Sequence, residues 1–189
     1  MTIEVITEPT WEPVTLDEAK LFARVDINDD DALITALIVA ARHEAEVECH
    51  RTISQKTMAI KLPRFCTIFN LALPPIISVS SIKYYDTSND LQTVSTDDYQ
   101  SYVHKDGGVI MLKEGASWPS SVYDRPDAVI VTYVAGYASA SVVPENIKTY
   151  IKIMVSTMYD VRESEVVGTI TSKTNFVPRL LDKHRLINV

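Results

Sequence analysis

The spacing of apolar residues changes twice along this chain of 189 residues, and this change constrains the fold more than any other feature. Before about residue 56 and after about residue 143, apolar residues recur every three or four positions, which is typical of amphipathic helices. Between these stretches they alternate with polar residues, which is typical of strands. We therefore predict an α+β fold, in which a helical core is interrupted by an inserted antiparallel β-sheet or small barrel.

Two helices are predicted in the first block. Thr15-Leu16-Asp17-Glu18 has the sequence of a capping box, so a short helix is expected to run to about Arg24. The acidic run Asn28–Asp31 is expected to begin a longer helix ending near His50–Arg51, because carboxylates favour the positive end of the helix dipole. Residues at four-residue spacing predict its buried face: Leu33, Leu37, Ala41 and Ala45, with Ile34 and Ile38 alongside.

Strands are predicted between Thr57 and Tyr137. Asp106-Gly107-Gly108 is a hairpin turn signal, and Thr87–Asp90 is a second turn signal. Strands this closely spaced, with no helical pattern between them, indicate antiparallel pairing. The predicted strands are Met58–Leu62, Phe65–Leu73, Val79–Tyr85, Tyr99–Lys105, Val109–Lys113 and Ala128–Val134.

The last block is predicted to begin with a helix at Pro144 that runs to about Arg162, because proline suits the first helical turn. Residues 163–176 carry no pattern and are predicted to be a mobile linker, after which Pro178 is expected to start a short terminal helix. One structural domain is expected overall. Its predicted segments are an extended N-terminal arm (1–13), a helical core (14–56 and 143–163), an inserted β region (57–142), and a linker with a C-terminal tail (164–189).

Charge and cysteine content exclude several classes of protein. The net charge of −7 argues against ordinary nucleic-acid binding, although it is compatible with a protein that surrounds DNA without gripping it. No apolar run approaches the roughly 20 residues of a membrane-spanning helix, and the N-terminus lacks the basic start of a signal peptide. Cys49 and Cys66 are expected to be reduced thiols of a cytosolic protein, with one bridge between them as the alternative.

Sequences that resemble catalytic motifs are incomplete. His43-Glu44-Ala45-Glu46-Val47 begins like a zinc-protease HExxH motif, but valine replaces the second histidine. Gly115-Ala116-Ser117 lacks the closing glycine of a nucleophile elbow. Helix capping explains Asp29–Asp31 without a metal, and no phosphate-binding glycine motif is present. We therefore expect neither an enzyme nor a bound cofactor or metal.

Four stretches, in their order and spacing, carry a resemblance that extends over nearly the whole chain. They are Val14–Lys20 followed by Arg24-Val25-Asp26 and Asp30-Asp31; Leu73-Pro74-Pro75 followed by Tyr84-Tyr85-Asp86; Val131-Thr132-Tyr133 followed by Ala135-Gly136-Tyr137 and Val143-Pro144; and Pro178 with Leu180-Leu181 and Arg185. Together they resemble the head–tail connector (adaptor) family of tailed phages and gene-transfer particles. The region from Leu91 to Asp127 matches least. Asp182-Lys183-His184 also departs from the family, which often has a proline and an aromatic residue there.

The resemblance implies a structural virion protein. In that family, a homo-oligomeric ring of about twelve copies lies beneath the portal protein and joins the capsid to the tail. Genome DNA passes through the ring without specific binding, and a stopper or tail-completion protein lies on the far side. The implied location is the head–tail junction of the virion, with assembly in the host cytoplasm. A monomer in isolation is compatible with this, since the ring contacts can form in the virion.

The resemblance also implies that the C-terminal segment docks onto the portal. The predicted portal-binding residues are Phe176, Val177, Pro178, Leu180, Leu181, His184 and Arg185. Separately, Glu44, Glu46 and Glu48 are expected to face outward from the long helix, where they could line the channel and keep DNA from sticking. An ordinary solvated helix face explains these glutamates equally well.

Two other functions stay open at this point. An accessory phage DNA-packaging protein that contacts DNA directly would bind DNA in a salt-dependent manner. A hydrolase with an unfamiliar site would place carboxylates or histidines of shifted pKa in one cleft.

Overall fold

The strands and helices of the protein fall into two separate units. The computed structural model describes residues 1–161 and 176–186, so the predicted linker lies, except for Phe176, outside the described residues. The β unit consists of residues 1–10 and 55–138, and the helical unit begins with residues 11–54 and resumes at residue 139. Contacts therefore divide the chain in two, where the sequence predicts one domain with an insertion.

The β unit contains two open antiparallel sheets. A five-stranded sheet has the order β1-β2-β8-β4-β5, and a three-stranded sheet has the order β3-β7-β6. The predicted antiparallel β region is confirmed, in the form of sheets and not of a closed barrel. The strands are β1 (Thr2–Thr7), β2 (Lys56–Leu62), β3 (Ile68–Leu71), β4 (Ile76–Tyr85), β5 (Leu91–Thr93), β6 (Tyr99–His104), β7 (Gly107–Leu112) and β8 (Val129–Ala135).

The first residues of the predicted extended N-terminal arm (1–13) form a strand that belongs to the β unit. β1 pairs antiparallel with β2, with Thr2 opposite Lys61 and Val5 opposite Met58. The β-branched residues of Thr2–Thr7 favour this conformation, and the prolines that discourage helix follow the strand. The first residues of the chain therefore form one edge of the five-stranded sheet.

β8 lies at the centre of the five-stranded sheet and supplies much of the core. Its residues alternate between buried and half-buried, with Val129, Val131, Tyr133 and Ala135 buried. The Tyr133 hydroxyl donates a hydrogen bond to the carbonyl of Ala72 at 3.0 Å, which satisfies the polar end of this buried ring.

The two predicted turns are both present. β6 and β7 form a hairpin whose loop is Lys105-Asp106, so both glycines belong to β7. A Cβ atom on Gly108 would lie 3.0 Å from Leu71 Cδ1 and 3.1 Å from Ile76 Cγ1, so a larger residue there would require these buried side chains to shift. Between β4 and β5, Asp86 Oδ1 accepts hydrogen bonds from two backbone amides of the turn, at 2.9 and 3.0 Å.

The helical unit contains α1 (Leu16–Ala23), α2 (Asp31–Cys49), a 3₁₀ turn (Ala140–Val142), α3 (Glu145–Asp160) and α4 (Phe176–Asp182). The capping box of α1 is confirmed, with the Glu18 amide donating to Thr15 Oγ1 at 3.2 Å and the Thr15 amide donating to Glu18 Oε2 at 2.8 Å. Pro144 precedes the first residue of α3 instead of lying within it. α3 packs against α1, α2 and α4.

The buried face of α2 agrees with the prediction except in its first turn. Ile34, Ile38, Ala41 and Ala45 are buried, whereas Leu33 is exposed. The side chains facing α2 in the core come mainly from α3, which buries Ile147, Tyr150, Ile151 and Val155. Among the described residues, no helix is long and apolar enough to cross a membrane.

Candidate assembly surface of the helical unit

The structure brings the predicted C-terminal site against the end of α2. Arg185 Nε donates to the carbonyl of Glu48 at 2.9 Å, and the Arg185 guanidinium also pairs with the Glu48 carboxylate. Arg51 Nε donates to the carbonyl of His184, and the Leu186 amide donates to the carbonyl of Cys49 at 3.0 Å. The segment 176–186 is therefore docked on its own helical unit.

Leu181 is part of the core of this unit. α4 packs on α2 and α3, and the Leu181 side chain is completely buried. Leu181 is one of the predicted portal-binding residues, and its burial contributes about 1.5–3 kcal/mol to the stability of the helical unit. Val177, Leu180 and His184 are half-buried and Arg185 is exposed, while only the helical backbone is described for Phe176 and Pro178.

Glu46 is buried, so the expectation that it faces outward is wrong. Its side chain is 8% exposed and accepts hydrogen bonds from the Ile53 amide at 2.7 Å and from Arg42 Nη1 at 3.1 Å. Arg42 is buried too, and its Nε donates to Glu12 Oε2 at 2.7 Å. A carboxylate removed from water needs such partners, and these interactions provide them.

This network was missed at the sequence level. The four-residue spacing of Arg42 and Glu46 is the visible signal, because residues at that spacing share a helix face. Burial of the pair depends on Glu12 and Ile53, which lie in segments before α1 and after α2.

The two remaining glutamates of α2 differ in exposure and in pairing. Glu44 is exposed, whereas Glu48 is half-buried and paired with Arg185. Both lie close to Tyr150 of α3, where burial and then the negative charges of Glu44 and Glu48 raise the pKa of the Tyr150 hydroxyl to about 12. Of the three glutamates predicted to face outward, Glu44 is therefore exposed, Glu48 is paired with Arg185, and Glu46 is buried.

Burial shifts the pKa values of two titratable groups at this surface. Burial raises the pKa of the Cys49 thiol to about 11, so this thiol stays protonated and unreactive near neutral pH. Burial, followed by the charges of Arg51 and Lys183, lowers the pKa of His184. Cys49 and Cys66 are both free thiols, in agreement with the predicted reduced state.

The acidic residues at the start of α2 make contacts within the helical unit. Asp31 pairs with Lys20 at 2.6 Å, and Asp30 Oδ2 accepts a hydrogen bond from the Tyr159 hydroxyl at 2.5 Å. His43 of the incomplete HExxH motif lies 3.8 Å from the buried Glu46 carboxylate. Within residues 1–161 and 176–186, no three His, Cys, Asp or Glu side chains are arranged to hold a metal ion.

Comparison with known proteins decides which family this fold represents. Residues 13–106 match the family described as phage gp6-like head–tail connector proteins. The chain belongs to the head–tail connector family. Membership points to a structural, non-enzymatic role at the head–tail junction of the virion. No curated protein matches the sequence of this connector.

Solved structures extend the likeness of the connector to its full length. Two are described as the neck of an empty gene transfer agent (GTA) particle computed with C6 symmetry and the virion of a native GTA particle; both are 18% identical, with TM-scores of 0.81 and 0.82. A third, the neck of a native GTA particle computed with C12 symmetry, is 16% identical with a TM-score of 0.81. Each match covers 100% of this chain and 97% of the other chain. At these identities the likeness establishes the fold of the connector, including the region 91–127, whose sequence resembles the family least.

Proposed function

We propose that the connector is one subunit of a ring of about twelve copies that lies beneath the portal, forms part of the DNA channel and joins the capsid to the tail. The observation that carries this proposal is the fold likeness over the whole chain to proteins in necks of particles, one of them computed with C12 symmetry. Family membership over residues 13–106 supports the same role independently.

The portal contact is assigned to the C-terminal segment in its docked position. Val177, Leu180 and His184 are half-buried and Arg185 is exposed, so these side chains present a surface while Leu181 holds the segment in place. The ion pair between Arg185 and Glu48 fixes the direction in which the guanidinium points. In this arrangement the portal binds a preformed surface, which lowers the entropic cost of binding.

The channel wall is assigned to α2. Its 19 residues span about 28 Å at about 1.5 Å per residue. The exposed Glu44 gives its C-terminal half a negative charge, which repels the phosphates of DNA and lets the genome pass without specific binding. A stopper or tail-completion protein is the partner on the far side of the ring.

Reconstitution with the portal tests the proposed function. The connector and its portal protein are mixed, and the product is analysed by native mass spectrometry and electron microscopy. The expected result is a ring of about twelve connector copies on the portal, while the connector alone stays monomeric at the same concentration. Connector that remains monomeric in the presence of the portal would overturn the proposal.

A further inference from the structure

An exposed apolar corner stands at the end of α1. Leu21, with 83% of its surface exposed, is the most exposed large apolar side chain among the described residues, and Phe22 beside it and Ile27 are also exposed. Lys20 Nζ donates to Asn28 Oδ1 at 2.7 Å and pairs with Asp31 at 2.6 Å, which holds the loop carrying Ile27 against the end of α1. We call Leu21, Phe22 and Ile27 the apolar corner.

The apolar corner has an acidic border. Asp26 and Asp29 are exposed on either side of Ile27, and the exposed Arg24 at the end of α1 is the one basic residue between Phe22 and Asp29. The neighbouring Lys20 is directed to Asp31 and Asn28. Exposed aromatic and aliphatic side chains with a polar border are typical of protein interfaces. A partner that fits this corner presents apolar side chains next to positive charge.

The tip of the β6–β7 hairpin has that chemistry. β6 is an edge strand, and all its residues from Ser101 to His104 are exposed. Tyr102 is 56% exposed, Val103 lies next to it, and the Lys105 side chain is 88% exposed in the adjoining loop, with Asp106 3.8 Å away. Aromatic residues such as Tyr102 are enriched at the centres of interfaces.

We propose that the apolar corner of one copy binds the β6–β7 hairpin tip of a neighbouring copy. This inference rests on the proposed ring. Tyr102 and Val103 cover Leu21, Phe22 and Ile27, and Lys105 faces the acidic border. Each copy carries both surfaces, and they differ from each other. Such a contact is heterologous, as required between neighbours in a closed ring.

Apolar-to-acidic substitutions test the contact in the full chain with the portal present. Phe22→Asp and Tyr102→Asp are each expected to reduce the ring fraction in native mass spectra at least tenfold. Leu91→Asp is the matched control, because Leu91 is an apolar side chain, 47% exposed, on β5, an edge strand of the five-stranded sheet. The ring fraction of this variant is expected to match that of the wild type. Circular dichroism of each variant verifies folding.

A charge exchange separates this contact from a general loss of apolar surface. Lys105→Glu is expected to weaken ring formation, and adding Asp26→Lys with Asp29→Lys is expected to restore it. Wild-type rings together with unaffected Phe22→Asp and Lys105→Glu variants would overturn the contact and leave the ring standing. Failure of the wild type itself to form a ring would overturn both proposals.

Discussion

Buried charge determines the local structure around Arg42 at the scale of single residues. Arg42 connects Glu12, which precedes α1, to Glu46 within α2, and Glu46 in turn holds the Ile53 amide. The sequence shows that Arg42 and Glu46 share a helix face, but it does not show that other parts of the chain bury this face. Its burial depends on residues outside α2, so the outward direction predicted for Glu46 was wrong.

Arg42→Ala is expected to lower the free energy of unfolding by about 3–5 kcal/mol, because it removes the guanidinium that pairs with the buried Glu46 carboxylate. Adding Glu46→Gln to that variant should recover part of the loss, since the buried negative charge is then removed. Urea unfolding measures both effects. Glu44→Ala serves as the control, because Glu44 is exposed on the same helix. Equal stability of Arg42→Ala and Glu44→Ala would contradict this account.

His184 is expected to make stability depend on pH. Burial lowers its folded pKa below the unfolded value, so the unfolded state binds more protons as the pH falls through about 6.5. Stability should therefore decrease from pH 8 to pH 5 and level off below the folded pKa. The effect is small because the side chain is half-buried. His184→Gln should remove this part of the slope in urea midpoints, and an unchanged slope would argue against it.

At the scale of helices and strands, short stretches of sequence correctly predicted the features that depend on interactions between residues close in the chain. The capping box of α1, the end of α2 near His50 and the hairpin at Asp106 were all visible in short stretches of sequence. β1 was not, because its partner β2 begins about fifty residues later. The exposure of Leu33 at the start of α2 was not visible either, because only packing in the folded unit determines where the buried face begins.

The α4 segment belongs to the helical core, so deleting residues 177–189 is expected to destabilise the unit as well as abolish portal binding. Leu181→Ala should lower the free energy of unfolding by about 2–5 kcal/mol, because it opens a cavity at a fully buried position. Leu180→Ala, at a half-buried position of the same helix, is the control and should cost less. A stable Leu181→Ala variant in urea unfolding would show that α4 is only loosely attached.

The candidate site was predictable only in part at the scale of the whole molecule. The C-terminal residues and the glutamates of α2 were predicted separately, the former through a family resemblance and the latter through helix periodicity. The ion pair between Arg185 and Glu48 brings the C-terminal segment and α2 together. This contact depends on the fold of the helical unit, which no local sequence pattern predicts. The apolar corner is likewise recognisable only after the core has been assigned.

Charge on α2 is expected to control how the assembled ring treats DNA. Wild-type rings on the portal should show no DNA binding that weakens with salt. Glu44→Lys should create such binding, because lysine displaces counterions from phosphates. Glu145→Lys, an exposed site on α3, is the control. Strong salt-dependent binding by the wild type, in titrations at several salt concentrations, would instead favour the accessory DNA-packaging protein.

The position of β8 has a consequence for synthesis of the chain. β8 lies between β2 and β4 but is translated last among these strands. Until Ala135 leaves the ribosome, β2 and β4 each have an unpaired edge. The time between synthesis of Leu62, the last residue of β2, and synthesis of Ala135, the last residue of β8, is roughly 4–15 s at typical translation rates. Unpaired edges invite pairing with other chains. Nascent connectors on one messenger are therefore most vulnerable to aggregation just before the strand that completes the sheet emerges.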